Sequence, residues 1–193
     1  MRVIAGANRG FRLQTPAGRQ TRPTADRVRE ALFNILSPYV IDSRVLDLFA
    51  GSGAVGIEAL SRGADFAVLV ENNPAAIKAI RSNLAKTGLA EKAEVITTDV
   101  GPAIAYLKRK GQGFDLVFMD PPYKRELITS TLEELAKMDI VAPRGIVVAE
   151  SAAREAVPEI VGRLRCYRRQ NYGDTDLIFY AFANSEDDGG ILG

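Results

Sequence analysis

Residues 44–56 read Arg44-Val45-Leu46-Asp47-Leu48-Phe49-Ala50-Gly51-Ser52-Gly53-Ala54-Val55-Gly56. An apolar run of strand length stops at a glycine-rich turn, and helical spacing takes over behind it. Glycines let the backbone turn sharply and approach a ligand closely, and the helix that follows presents free N–H groups at its start. The same alternation continues downstream. Strand-like apolar runs fall at 44–49, 67–71, 94–97, 114–119 and 145–150, with helical patterns at 54–62, 74–87, 101–110 and 126–137 between them. Buried apolar strands separated by helices predict βαβ units and a mostly parallel sheet covered on both faces.

Further outward the pattern changes at both ends. A helix is expected near 152–162. Two β-rich runs, 165–172 and 176–183, then flank the Gly173-Asp174-Thr175 turn and predict an antiparallel closure of the sheet. At the start, Val3-Ile4-Ala5, a turn at Asn8-Arg9-Gly10 and Phe11-Arg12-Leu13 predict a small hairpin. Pro23 disfavours helix at Arg22, and helical spacing begins near Asp26 and runs to about Leu36. The expected organisation is a hairpin arm over 1–23, one α/β domain over 24–183, and an acidic, glycine-rich tail over 184–193 expected to be disordered.

Composition narrows the chemistry. At 193 residues and 47% apolar, one domain with a full core is expected. There is no histidine and one cysteine, Cys166. Histidine-dependent hydrolases are thereby excluded, no disulfide can form within the chain, and no metal site is expected. No apolar run reaches the ~18 residues of a membrane span, and no signal-peptide core follows Met1, so a soluble, cytoplasmic protein is expected. The net charge of +1 hides an asymmetry. Residues 1–30 hold seven arginines (Arg2, Arg9, Arg12, Arg19, Arg22, Arg27, Arg29) against Asp26 and Glu30, and Arg163, Arg165, Arg168 and Arg169 cluster near the end. Arginine suits bidentate phosphate contacts, so a polyanionic partner gains from such faces; a merely solvated basic surface is the alternative.

The acids at the strand ends identify a ligand. Gly51-x-Gly53-x-x-Gly56, with Glu71 20 residues past Gly51, also fits a dinucleotide fingerprint. Asp47, however, repels a pyrophosphate and attracts an ammonium or a sulfonium. Glu71 ends the second strand, placed for two ribose hydroxyls. Asp99 follows the third, placed for an adenine amine, or alternatively as a helix N-cap. A cationic ligand bearing a diol and an amine is S-adenosylmethionine. The candidate cofactor set is Asp47, Phe49, Ala50, Gly51 and Gly53 in the loop, with Glu71, Asn72, Asp99 and Val100.

The fourth strand runs into Asp120-Pro121-Pro122-Tyr123. The prolines stiffen the segment and remove backbone donors. A carboxylate and a backbone carbonyl can then accept the two N–H bonds of an aromatic amine while Tyr123 stacks on its ring. The lone pair of such an amine is delocalised into the ring. Two acceptors hold the nitrogen in a more tetrahedral geometry, aim the lone pair at a sulfonium methyl and stabilise developing positive charge. Asp120, Pro121, Pro122 and Tyr123 are the candidate catalytic residues.

On these residues the sequence resembles the RsmD-type bacterial methyltransferases, which act on a guanine amine of 16S ribosomal RNA. The likeness covers about residues 1–183. Its most specific block is Arg22-Pro23-Thr24-Ala25-Asp26-Arg27-Val28-Arg29-Glu30-Ala31-Leu32-Phe33-Asn34, extended by Asp47 to Gly53 and by Gly56-Ile57-Glu58-Ala59-Leu60-Ser61-Arg62-Gly63. Asp-Pro-Pro-Tyr is shared with DNA adenine, other RNA and protein glutamine methyltransferases. The resemblance implies a Rossmann-like class I methyltransferase fold, guanine N2-methylation with S-adenosylhomocysteine as product, and cofactor contacts from Glu71 and Asp99. Asn72-Asn73 departs from the acidic residue common after that glutamate. The implied partner is 16S ribosomal RNA, free or in an assembled or partly assembled small subunit, met by a monomer. A flipped-out base needs flanking grip, and the candidate RNA-binding residues are Arg2, Arg9, Arg12, Arg19, Arg22, Arg27, Lys124 and Arg125. Alternatives are an amino-methyltransferase for another RNA or DNA base, a nicotinamide-dependent oxidoreductase, and a non-catalytic RNA-binding assembly factor.

Overall fold

The computed structural model describes residues 1–15, 23–122 and 125–183, with the backbone alone at 23–25 and 125. The expected tail, 184–193, lies outside the described residues. Helix α1 (Pro23–Val40) leads into β1 (Arg44–Leu48), α2 (Ala54–Ser61), β2 (Phe66–Val70), α3 (Pro74–Thr87), a 3-10 turn at Ala90–Lys92, β3 (Ala93–Ile96), α4 (Val100–Arg109), β4 (Phe114–Met119), α5 (Arg125–Met138) and β5 (Val141–Ala152). Strands β6 (Ile160–Val161), β7 (Leu164–Tyr172) and β8 (Thr175–Phe182) follow. All eight form one sheet in the order β3-β2-β1-β4-β5-β8-β7-β6. The five strands from β3 to β5 run parallel and the last three pair antiparallel. This is the expected Rossmann-like α/β sheet, with an antiparallel edge three strands wide. The chain winds outward from β1 to β3, then reverses to β4, which puts the topological switch point between β1 and β4. Open α/β sheets bind ligands at the carboxyl edge of that crevice.

Strand residues alternate between two apolar layers. Val45, Leu69, Leu116, Phe118, Val148 and Phe179 pack under α1, α2 and α3. Leu46, Val68, Val117, Met119, Val147 and Tyr180 pack on the other face under α4 and α5. The near-continuous apolar strand sequences are explained by this double coverage.

The helix expected near 152–162 is absent. Pro158 supplies no donor and biases Val157 away from helix, and Arg154 adopts φ 64°. Two amides of this stretch instead bond across to the β7–β8 turn and the start of β8: Ala153 donates to the Asp174 carbonyl at 2.9 Å and Arg154 to the Asp176 carboxylate at 2.9 Å. The short β6 follows at Ile160–Val161.

Residues 1–15 are docked on α2 and α3. A bridge between Arg2 and Arg12 and backbone bonds such as Val3 N–H to the Phe11 carbonyl make the expected hairpin, while Val3 and Leu13 are buried in the α1–α3 layer. Glu58 of α2, fully buried, is its anchor. The carboxylate accepts the Ile4 and Ala5 amides at 2.8 and 2.9 Å and Arg62 Nε at 2.8 Å, and lies 3.8 Å from Arg29 Nε. Arg29, also buried, donates to the Arg2 carbonyl at 2.6 Å. Gly6 completes the docking, since a Cβ there would stand 1.8 Å from the Ser61 carbonyl oxygen. Removing one partner of a buried ion pair typically costs about 3–5 kcal/mol. Glu58→Ala is therefore expected to lower the unfolding free energy by about 3 kcal/mol in urea and to strip exchange protection from the Ile4 and Ala5 amides. Unchanged protection there would remove Glu58 as the anchor.

Candidate active site

The glycine loop is fixed from both sides. Ala50 N–H donates to the Val70 carbonyl at 2.9 Å, which ties the loop to the end of β2, and Gly53 N–H donates to the Ala50 carbonyl at 2.8 Å. Gly53 sits in the left-handed region at φ 76° as the N-cap of α2, with no side chain capping the helix. A Cβ there would also meet Leu69 Cδ2 at 2.9 Å. Gly51, Ser52 and Gly53 are buried against the strands, while Phe49, at φ 65°, is only partly buried.

Acids stand at successive strand ends around this loop. Asp47 is buried, and its Oδ2 accepts Gly56 N–H at 3.1 Å. It thus braces the first turn of α2 from beneath, a partner not anticipated from the sequence. Burial pushes the Asp47 carboxyl up to about 7; the charges of Asp120 and Glu71 add to this, and the Gly56 amide opposes it. Glu71 accepts Gly51 N–H at 2.7 Å on Oε2, and the Asn72 and Asn73 amides at 3.0 and 2.9 Å on Oε1. A carboxylate offers about four lone-pair sites, so a site on Oε2 remains for a ribose hydroxyl. Asp99 is exposed and stands at the N-cap of α4, yet caps no amide there. It accepts instead from Asn72 Nδ2 at 2.7 Å. That bond links the ends of β2 and β3, with partly buried Val100 beside it.

Beyond β4, Asp120 is exposed, Pro121 buried and Pro122 exposed. Tyr123 and Lys124 lie outside the described residues, as do Arg19 and Arg22 and the side chain of Arg125. The register aligns Met119 with Ala149 on β5, so the next positions, Asp120 and Glu150, are neighbours on adjacent strands. Glu150 was missed in the sequence, although it ends the strand expected at 145–150 just as Glu71 ends its own. Burial, with the Asp120 charge adding, pushes the Glu150 carboxyl up to about 8. A separate surface cavity of about 260 Å³, bordered by Tyr39, Asp42, Asp115 and Arg144, opens at the amino end of β4, away from these acids.

The hairpin borders the same edge. Asn83 of α3 donates from Nδ2 to the carbonyls of both Gln14 and Ser52 at 2.9 Å, and the Ser52 hydroxyl lies 3.5 Å from Met1 Sδ. Arg2, Arg9, Arg12 and Arg27 are exposed; Arg29, counted with them in the basic stretch, is buried in the Glu58 cluster.

The raised Asp47 carboxyl fixes a sign for stability. Between about pH 4 and pH 7 the folded chain holds a proton there that the unfolded chain has lost, so this group takes stability away as pH rises through that window. Asp47→Asn removes the penalty and keeps an acceptor for Gly56. Its Tm relative to the parent chain is expected to rise by at least ~3 °C between pH 4.5 and pH 8; a pH-independent gap would contradict the assignment.

Comparison with known proteins agrees with this architecture. The family model described as Conserved hypothetical protein 95 matches residues 1–181. The YlbH protein of Bacillus subtilis is 39% identical over 180 residues, covering 93% of this chain and 98% of that one. Ribosomal RNA small subunit methyltransferase D of Escherichia coli strain K12 is 37% identical, covering 93% of this chain and 89% of that one. The solved structure of yhhF from Escherichia coli superposes with a TM-score of 0.82 at 33% identity, covering 94% of this chain and 97% of that one. On a model match across nearly its whole length and relatives of this identity, the chain belongs to the RsmD family, described as Conserved hypothetical protein 95.

Proposed function

We propose that this protein transfers a methyl group from S-adenosylmethionine to the exocyclic N2 amine of a guanine in 16S ribosomal RNA of the small subunit, acting as a cytoplasmic monomer. The observation that carries the reading is the placement of Asp120-Pro121-Pro122 at the switch-point edge, one strand from the glycine loop and its acids. The ribosomal substrate follows from the relatives named for it; guanine N2 follows from the family resemblance.

The residues present fit the cofactor. At Gly53 and Gly56 the turn packs its backbone against Leu69 with no room for a Cβ, and glycines of this kind let backbone amides face a ligand closely. Glu71 retains acceptor capacity on Oε2 for one ribose hydroxyl, and Asp99, which caps no amide in its own helix, is exposed toward the same edge. When bound, S-adenosylmethionine supplies an electrophilic sulfonium methyl. Asp120 accepts one N–H of the target amine and the Pro121 carbonyl the other, which orients the lone pair and stabilises the positive charge that develops on nitrogen. Asp120 is then adjacent to the proton that the methylated amine must lose. Tyr123 stacks on the base, and Lys124 and Arg125 grip flanking phosphates. Among the described residues, Arg2, Arg9, Arg12 and Arg27 are exposed on or beside the docked hairpin; these four, and Arg19 and Arg22 outside the described residues, are the phosphate-binding residues in this reading. In this reading residues 1–23 act as an RNA-binding arm and 24–183 as the methyltransferase domain.

Two measurements test this. Asp120→Ala is expected to reduce radiolabel transfer to small subunits by at least ~10²-fold while S-adenosylhomocysteine still binds; full activity would end the mechanism. Arg9→Ala with Arg12→Ala is expected to lower the slope of log affinity against log salt by about 0.7–0.9 for each phosphate that is no longer neutralised, and an unchanged slope takes the hairpin out of the interface.

A further inference from the structure

Asp120 alone does not explain a choice of base. One carboxylate accepts an amine N–H equally well from guanine N2 or adenine N6. The two bases differ at the ring position beside the amine: guanine carries N1–H and then O6, whereas adenine N1 is a bare acceptor. Selecting guanine requires a second group placed beside Asp120 that accepts at N1 and donates at O6.

We propose that Glu150 is that group, its carboxyl pairing with N1–H and O6 of the target guanine while Asp120 holds N2. The register supports it, since Asp120 and Glu150 follow the aligned pair Met119 and Ala149 on parallel strands spaced ~4.8 Å apart. Two carboxyls at that spacing span one edge of a purine. Glu150 is partly buried at the carboxyl end of β5, and among the described residues its side chain makes no hydrogen bond within the protein. Its backbone is held in the ladder opposite Leu177 of β8, so the side chain projects from a fixed position. With its pKa pushed up to about 8, the group keeps its proton near neutrality. A protonated carboxyl offers an O–H donor and a C=O acceptor side by side, the complement of O6 and N1–H. Asp120 then supplies the remaining acceptor. Adenine, with no donor at N1 and no oxygen beside it, mismatches this pair.

The inference rests on the guanine N2 reading above, and its test separates the two. Small subunits are reconstituted with 16S ribosomal RNA carrying guanine or 2-aminopurine at the modified nucleotide. 2-Aminopurine keeps the N2 amine but lacks N1–H and O6. The wild-type chain is expected to prefer guanine in kcat/KM. Glu150→Ala is expected to lose about 10–100-fold on guanine and little on 2-aminopurine, so that the ratio collapses. Glu150→Gln, which presents an amide donor and acceptor in the same place, is expected to recover most of the ratio. Binding of S-adenosylhomocysteine confirms that each variant is folded; if Glu150→Ala does not bind it, Glu150→Met against Glu150→Gln makes the same comparison. A ratio in the Ala or Met variant equal to wild type, or a Gln variant that recovers nothing, overturns the role of Glu150 and leaves the guanine reading standing. A wild-type chain that transfers no methyl to the guanine substrate overturns both.

Discussion

Glu71, Asp47, Asp120 and Glu150 stand at or near the ends of four neighbouring strands, β2, β1, β4 and β5, in that spatial order. Adjacent strands are only ~4.8 Å apart, and a partly buried edge screens charge poorly. Four ionised carboxylates in such a row repel one another, so the edge must discharge some and compensate the rest. It does both. Asp47 and Glu150 are pushed toward protonation by burial, with Asp120 adding to each shift. Glu71 gathers three backbone amides instead. The remaining negative potential lies on the exposed groups, where a cationic ligand and an amine substrate are expected.

The scaffold serves that edge by locking what surrounds it. Asp47 holds α2 through Gly56, Asn83 holds Ser52 and Gln14 together, and Glu58 pins the hairpin to α2 and α1. The same short helix therefore carries the glycine loop at its start and the hairpin anchor in its body. The exposed arginines of the hairpin and the row of strand-end acids are thereby held in fixed relation by buried polar contacts on one element.

What was legible in the sequence were features with a local cause. The strand–helix alternation, the glycine turn and the acids at strand ends each follow from periodicity or backbone geometry within a few residues, and the structure shows those elements where they were read. Contacts between distant positions were not legible. Arg29 is written among surface arginines, yet a glutamate 29 positions later draws it into the interior. Asp47 reads as a ligand for a cation until burial gives it the Gly56 amide. The 152–162 helix failed because its amides found partners in the β7–β8 turn, which no local pattern encodes. Glu150 was legible by the rule that singled out Glu71, and its pairing with Asp120 needed only the β4–β5 register.

Charge separation also constrains how a nucleic acid can approach. Phosphates are repelled by the strand-end acids and attracted by the exposed arginines of the hairpin, so a backbone lying directly across the cleft is unfavourable. A base carries no such charge. Under the proposed function, a base out of its stack, at a cost of a few kcal/mol, meets the strand-end acids without bringing its phosphates against them. In that same proposed function, the acids favour the donor edge of an uncharged base as well as a cationic cofactor. The geometry that separates the two surfaces is set by α2, through Glu58 on one side and Gly56 on the other.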